Sequence, residues 1–258
     1  MISLITGASS GIGEQLAMLA AADKHDVVLV ARSADKLNAL AEALARQHGI
    51  RATALAEDLS DPAAVDVIAD VLAARKIDVD VLVNNAGFGT WGPFVESDVR
   101  EPRNLIQVNV TAVTMLTRRL APGMVARRRG RILNVASTAA FQPGPLMATY
   151  YASKAYVLSF SEALANELDG SGVTVTCLCP GPTATGFAAR AGNRRSRLFA
   201  LGAVMDAATV ARAGYDGMKE GRRLVVPGLT NKIVAQAVRF SPRGLVTAIA
   251  RRLNEMKA

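Results

Sequence analysis

Along the chain, short β-branched apolar runs alternate with longer stretches whose apolar positions recur at helical spacing. The runs Ile2–Thr6, Asp26–Ala31, Arg51–Ala56, Val79–Asn84, Arg131–Ala136, Val173–Leu178 and Leu224–Val226 predict seven strands. Helical periodicity occupies Ile12–Ala22, Ala34–His48, Ala63–Ala74, Asn104–Ala126, Tyr150–Leu168 and Ala207–Glu220. Strands alternating with helices of about three turns imply right-handed crossovers and a parallel sheet covered on both faces. The near-continuous apolar run Val27–Ala31 suits a strand buried on both sides. The pattern therefore predicts an α/β, doubly wound, parallel seven-stranded sheet of Rossmann type, which binds ligands at the carboxyl ends of its strands.

At 258 residues, half of them hydrophobic, the chain buries a sizeable core. No repeat or Pro/Ser-rich linker interrupts it, so residues 1–258 read as one domain, with 182–205 a flap over the substrate and 229–258 a basic extension. The apolar runs fall short of the roughly 18–20 residues a membrane span requires. With no leader pattern visible at Met1 and only Cys177 and Cys179 as thiols, a cytoplasmic protein is expected. At i, i+2 on a strand these cysteines face the same way, a poor geometry for bridging. The two histidines form no metal-ligand spacing, so no metal is expected.

The net charge of +8 is unevenly placed. From Gly181 onward stand 14 Lys+Arg against 4 Asp+Glu, whereas the preceding part has 16 against 18. No aromatic-interleaved basic motif accompanies the excess, which argues against nucleic acid. The basic, amphipathic tail from Leu229 could cover the substrate pocket, join subunits or touch lipid; packing on its own chain or between subunits is the expectation. Arg190, Arg194, Arg195 and Arg197 in the flap could meet an anionic group on a substrate.

Chemistry enters after the first strand, where Thr6-Gly7-Ala8-Ser9-Ser10-Gly11-Ile12-Gly13 opens a helix. Such a turn lets backbone approach a pyrophosphate, and the helix N-terminus offers it free amides. Gly7, Ser9, Ser10, Gly11, Ile12 and Gly13 are thus candidate dinucleotide contacts. An acidic residue at the end of the second strand would bind the ribose hydroxyls of NAD. Here stands Arg32, whose planar fork suits a 2′-phosphate, so NADP is the expected cofactor. Asp58 and Leu59, after the third strand, and Asn85, Ala86 and Gly87, after the fourth, suit the adenosine half.

Tyr150 and Lys154, at i, i+4, share a helix face. A phenol with pKa about 10 needs help to exchange protons at neutral pH, and an adjacent ammonium would lower it. Ser137 follows the fifth strand, where its hydroxyl could polarise a carbonyl. Asn109 falls among aliphatic residues in the long helix, either as a packing hydrogen-bonder or as holder of a relay water. Tyr151, at i, i+3 to Lys154, competes with Tyr150.

From Leu4 to about Gly228 the chain resembles the short-chain dehydrogenase/reductase family. The resemblance rests on the glycine loop, Asn84-Asn85-Ala86-Gly87, Asn109, Ser137, Tyr150-Tyr151-Ala152-Ser153-Lys154 and Pro180-Gly181. It implies an NADP(H)-dependent oxidoreductase that interconverts carbonyls and alcohols. Tyr150 would be its general acid–base, Lys154 the ribose contact, Ser137 the holder of the carbonyl oxygen and Asn109 part of a proton relay. Pro180, Gly181 and Thr183 would border the nicotinamide. A homodimer or homotetramer is also implied. The stretch Phe141–Met147 is similar to a branch holding hydroxysteroid dehydrogenases and long-chain ketoacyl reductases, which implies an apolar or acyl-type substrate. A non-catalytic NADP-binding regulator is the alternative. An epimerase or dehydratase of the extended group would need a longer substrate domain.

Overall fold

The computed structural model describes residues 1–193, 196–197 and 204–256. Its main sheet contains β1 (Ile2–Thr6), β2 (Asp26–Ala31), β3 (Ala52–Ala56), β4 (Val81–Asn84), β5 (Gly130–Val135), β6 (Val173–Leu178) and β9 (Leu224–Val225). All pair in parallel, in the order β3-β2-β1-β4-β5-β6-β9. This is the expected seven-stranded doubly wound sheet; its strand ends shift by one or two residues, as ends do. The order reverses between β1 and β4, where a crevice opens at the strand ends. A second, two-stranded sheet pairs β7 (Thr183–Ala184) with β8 (Met205–Asp206) and closes the base of the 182–205 segment.

Both faces of the main sheet are covered. Along β1, Ile5 joins Leu16 of α1 (Gly11–Ala22), Leu37 of α2 (Ala34–His48) and Tyr215 of α8 (Ala207–Lys219) in one core. Leu4, one pleat back, joins Ile68 of α3 (Ala64–Ala74), and Leu116 and Met124 of α5 (Val113–Ala126) in the other. Successive strand residues point to opposite faces, and here each face finds a helix layer. That is why β2 reads as an unbroken apolar run.

The single helix expected over Asn104–Ala126 is instead α4 (Arg100–Ile106), a π-helical segment (Gln107–Ala112) and α5. Periodicity over such a span does not register one widened turn. After a 3₁₀ turn at Thr138–Phe141 comes α6 (Ala148–Glu167), and α7 (Phe187–Ala191) stands in the 182–205 segment. The tail forms α9 (Leu229–Phe240) and α10 (Arg243–Asn254), separated at Ser241-Pro242 because proline restricts the residue before it.

A buried polar chain ties the strand ends to their helices. Asn84 Nδ2 donates to Thr117 Oγ1 (3.1 Å) and Asn134 Oδ1 (2.8 Å), and Asn134 Nδ2 donates to Ser161 Oγ (2.9 Å). Buried amide groups are mostly paired, although Asn84 Oδ1 finds no partner among the described residues. Here the pairing sets β4 and β5 against α5 and α6, the elements that carry the chemistry.

Candidate active site

The crevice at the switch point has a volume of about 360 Å³ and runs from Arg32 to Phe187 and Asn193. At its floor, Gly7 and Gly11 take positive φ values of 65° and 61°. A Cβ on Gly7 would lie 2.7 Å from Asn85 Nδ2 and 2.9 Å from Ala86 Cα. The loop is held down by Thr6 Oγ1, which accepts from the backbone N–H of Asn85 and of Ala86, each at 3.0 Å. Asn85 Nδ2 donates back to Thr6 O (2.9 Å) and Gly7 O (3.2 Å). Ser10 caps α1 without spending its side chain on the helix, so its hydroxyl and the first-turn amides stay open to an anion.

Gly7, Ser9, Ser10, Gly11, Ile12, Arg32, Asp58, Leu59, Asn85, Ala86 and Gly87 all line this half of the crevice. Gly13 does not. A Cβ there would sit 2.3 Å from Gly7 O, so its role is to let α1 approach the turn rather than to touch a ligand. Leu59 lines the wall while its buried side chain belongs to the α3 core. Arg32 and Asp58 sit side by side with Nη1 3.9 Å from Oδ2, both partly exposed. Such a pair is weakly coupled, which leaves the guanidinium free to bind a phosphate.

In the other half, Ser137, Tyr150, Lys154, Pro180, Gly181 and Thr183 converge. Ser137 leaves β5 in extended backbone; its Oγ accepts from Ala139 N (3.1 Å) and donates only a long bond to Pro180 O (3.4 Å). Tyr150 and Lys154 face the same side of α6, with Nζ 5.8 Å from the phenol ring centroid. The ammonium donates to Val135 O at 2.9 Å. Burial pushes the Tyr150 phenol above its ordinary range, and neighbouring Ser137 pulls the other way. Burial likewise pushes Lys154 down, to about 8. Contrary to the expected lowering of the tyrosine by the lysine, desolvation is the largest influence on both groups in the ligand-free protein, since each side chain is more than nine-tenths buried.

Asn109 lies in the π-helical segment, buried, and does not line the crevice. Its Oδ1 accepts from Phe88 N (3.1 Å), and its Nδ2 donates to Phe88 O (2.9 Å) and to Ser153 Oγ (3.0 Å). Ser153 Oγ in turn donates to Tyr150 O (2.7 Å). The side chain thus clamps the loop after β4 onto α6. Oδ1 and the Lys154 ammonium still converge on Gly87, where a Cβ would meet them at 3.2 and 3.3 Å.

Phe88, Met147, Tyr151 and Phe187 form an apolar wall, with Gln142, Arg190 and Asn193 as its polar members. The Phe187 ring stands 5.1 Å from that of Tyr150. A Cβ on Gly89 would crowd Phe187, Met147 and Tyr150 at 2.9–3.3 Å. Tyr151 turns away from the chemical centre, donating its hydroxyl to Asn254 Oδ1 at 3.1 Å. Of the four flap arginines, Arg190 lines the crevice and Arg197 donates its backbone N–H to Glu255 O; Arg194 and Arg195 lie outside the described residues. Phe88 and Asn193, absent from the sequence-derived set, carry no motif signal because folding alone brings them to the wall. The Cys177 and Cys179 thiols are free and buried, with their sulfurs 3.7 Å apart on one side of the sheet.

The model of the short chain dehydrogenase family matches residues 1–196. Over 193 residues the chain is 42% identical to a monensin polyketide synthase putative ketoacyl reductase of Streptomyces virginiae, covering 73% of each. It is 38% identical over 180 residues to a very-long-chain 3-oxoacyl-CoA reductase of Phaeosphaeria nodorum. That match covers 68% of this chain and 53% of the fungal protein, so the chain spans about half the length of that relative. Among solved structures, a Sphingobium yanoikuyae short-chain dehydrogenase in complex with NADPH superposes with a TM-score of 0.84 at 35% identity, covering 95% of this chain and 94% of that one.

Proposed function

This chain belongs to the short-chain dehydrogenase family, and we propose that it is an NADP(H)-dependent oxidoreductase interconverting a ketone or aldehyde with its alcohol. One observation carries the reading: the Ser137–Tyr150–Lys154 set and the glycine turn line one continuous crevice. Glycines whose Cβ would strike neighbouring backbone, together with an open helix N-terminus and Arg32, fit a phosphorylated dinucleotide.

The bound dinucleotide would supply or accept the hydride. The Ser137 hydroxyl, held by only a long bond to Pro180 O, would turn to donate to the substrate oxygen. Tyr150 would pass its phenolic proton to that oxygen as negative charge develops there. Lys154, already pushed down to about 8, would stabilise the resulting phenolate and hold a ribose hydroxyl. The Phe88–Met147–Phe187 wall would exclude water and accept an apolar body, with Arg190 at hand for an anionic end. The relatives' names make a 3-oxoacyl thioester the first substrate class to try. The reading without turnover is disfavoured, because nucleotide binding alone does not require Ser137, Tyr150 and Lys154 to converge on one crevice.

As partners we propose a second copy through α4–α5 and α6, whose outer residues Ile106, Met115 and Tyr156 are exposed. Among the described residues no helix is long and apolar enough to cross a membrane. The free buried thiols agree with residence in a reducing cytoplasm. The test is consumption of NADPH across β-ketoacyl thioesters, steroids, sugars and small aldehydes. Turnover of at least one class, with NADPH favoured over NADH, is expected. NADPH binding without turnover on any class would overturn the proposal.

A further inference from the structure

The last turn of α10 reaches far back along the chain. Asn254 is completely buried, at 0% exposure, yet it is a polar residue near the carboxyl end of a basic tail. Its Oδ1 accepts from the Tyr151 hydroxyl (3.1 Å), its Nδ2 donates to Pro145 O (2.9 Å), and its backbone carbonyl accepts from Trp91 Nε1 (2.7 Å). A buried amide is costly unless paired. Here it is paired with three segments lying more than a hundred residues upstream.

All three partners belong to the substrate side of the crevice. Tyr151 lines it; Pro145 lies in the loop between the lining residues Gln142 and Met147. Trp91 packs against the cluster of Leu105, Met147, Tyr150 and Tyr151. The loop is drawn so tightly onto Tyr151 that a Cβ on Gly144 would lie 2.2 Å from its ring. The Tyr151 ring meets that of Tyr150 edge-on, with centroids 6.0 Å apart and planes at 79°. Beyond Asn254 the tail also joins the flap, through Arg197 N to Glu255 O (3.0 Å) and a bridge between Ser196 and Met256.

We infer that Asn254 is a positioning residue for the proposed reduction: through Tyr151 and the Pro145 loop it sets the wall against which a carbonyl substrate lies beside Tyr150. The inference rests on the oxidoreductase reading above. A tail that merely docked for stability would need only the apolar face of Val246 and Ala250. An amide aimed at a tyrosine hydroxyl fixes direction as well, and a small misplacement near reacting groups is amplified in rate.

The test uses the full-length protein, Asn254→Ala, Asn254→Asp, Tyr151→Phe and the double variant, with the best carbonyl substrate from the panel. Asn254→Ala is expected to raise KM about tenfold, the scale of a lost buried hydrogen bond, with NADPH affinity unchanged. Asn254→Asp keeps the acceptor for Tyr151 and should lose less. Tyr151→Phe should raise KM in the same sense, and adding Asn254→Ala to it should cost less than on the parent. Should Asn254→Ala fail to fold, Tyr151→Phe and Asn254→Asp carry the same comparison. An active parent whose variants lose melting temperature while kcat and KM stay put would reduce Asn254 to a tail anchor. A parent that binds NADPH and turns nothing over removes the reductase reading and this inference with it.

Discussion

At the scale of single residues, two tyrosines stand adjacent and only one faces Ser137 and the Lys154 side of the crevice. Tyr150→Phe should therefore lower kcat by about 10²–10⁴-fold, the usual worth of a positioned acid–base, while Tyr151→Phe keeps most of it. Steady-state kinetics with saturating NADPH would decide the ranking. Arg32 is half free of Asp58, so Arg32→Ala should lose about 1.5–3 kcal/mol of charge-assisted binding to a 2′-phosphate. Titration should then show NADPH affinity falling roughly ten- to a hundredfold and NADH affinity unmoved. Lys154 has a pH signature. Its pKa in the folded chain, about 8, lies below that of an exposed lysine, so the unfolded chain binds more protons between the two values and stability rises with pH there. Lys154→Met should stabilise the ligand-free protein at pH near 7 by up to about 3 kcal/mol, and the gain should vanish as pH approaches 10. Denaturant melts at a series of pH values would show a constant difference if that lysine were not desolvated.

Among the elements, the contacts that place the site are mostly its supports rather than its members. The π-helical turn and Asn109 hold Phe88 to Ser153, and Ser153 bonds the backbone of Tyr150. Asn109→Ala would leave the Phe88 N–H and the Ser153 hydroxyl short of a buried partner, at a cost of about 1–3 kcal/mol. The expected result is a lower melting temperature together with reduced kcat, and unchanged NADPH binding by fluorescence titration. Gly13 supports the other half in the same way. Its Cβ contact with Gly7 O at 2.3 Å is with backbone and cannot be relieved by a rotamer, so Gly13→Ala should weaken NADPH binding by displacing α1. Periodicity located α1 to within a residue and the span of α4–α5 without its π-helical break or its start at Arg100. It could not distinguish a glycine that touches ligand from one that packs behind it, nor detect a widened turn, because both depend on what lies across the gap.

For the whole molecule, residues from Gly7 to Asn193 line the crevice, and the tail backs the Tyr151 side of its wall from behind. Truncation before Leu229 would expose Tyr151 and Gly181, the latter now packed under Asn231 with a would-be Cβ 2.5 Å from its amide. Loss of carbonyl turnover with retained NADPH binding is the expected outcome, read by kinetics and fluorescence on the shortened chain. The tail remains amphipathic. Val246, Ala250 and Asn254 face inward while Leu229, Ile233 and Phe240 face out, so packing on its own chain accounts for one of its helices more fully than for the other.

Sequence by itself determined the sheet, its order of elements, the glycine turn and the Ser137–Tyr150–Lys154 set, because each is written in spacing that local backbone geometry obeys. It also distinguished Arg32 from an acid at the ribose position. Tertiary structure alone decided how deeply Tyr150 and Lys154 are desolvated, that the Tyr151 hydroxyl turns to Asn254, and that Asn254 joins Trp91, Pro145 and Tyr151. These are properties of neighbours distant in the chain. No local period records them, since hydrogen bonding and desolvation depend on what folding brings alongside.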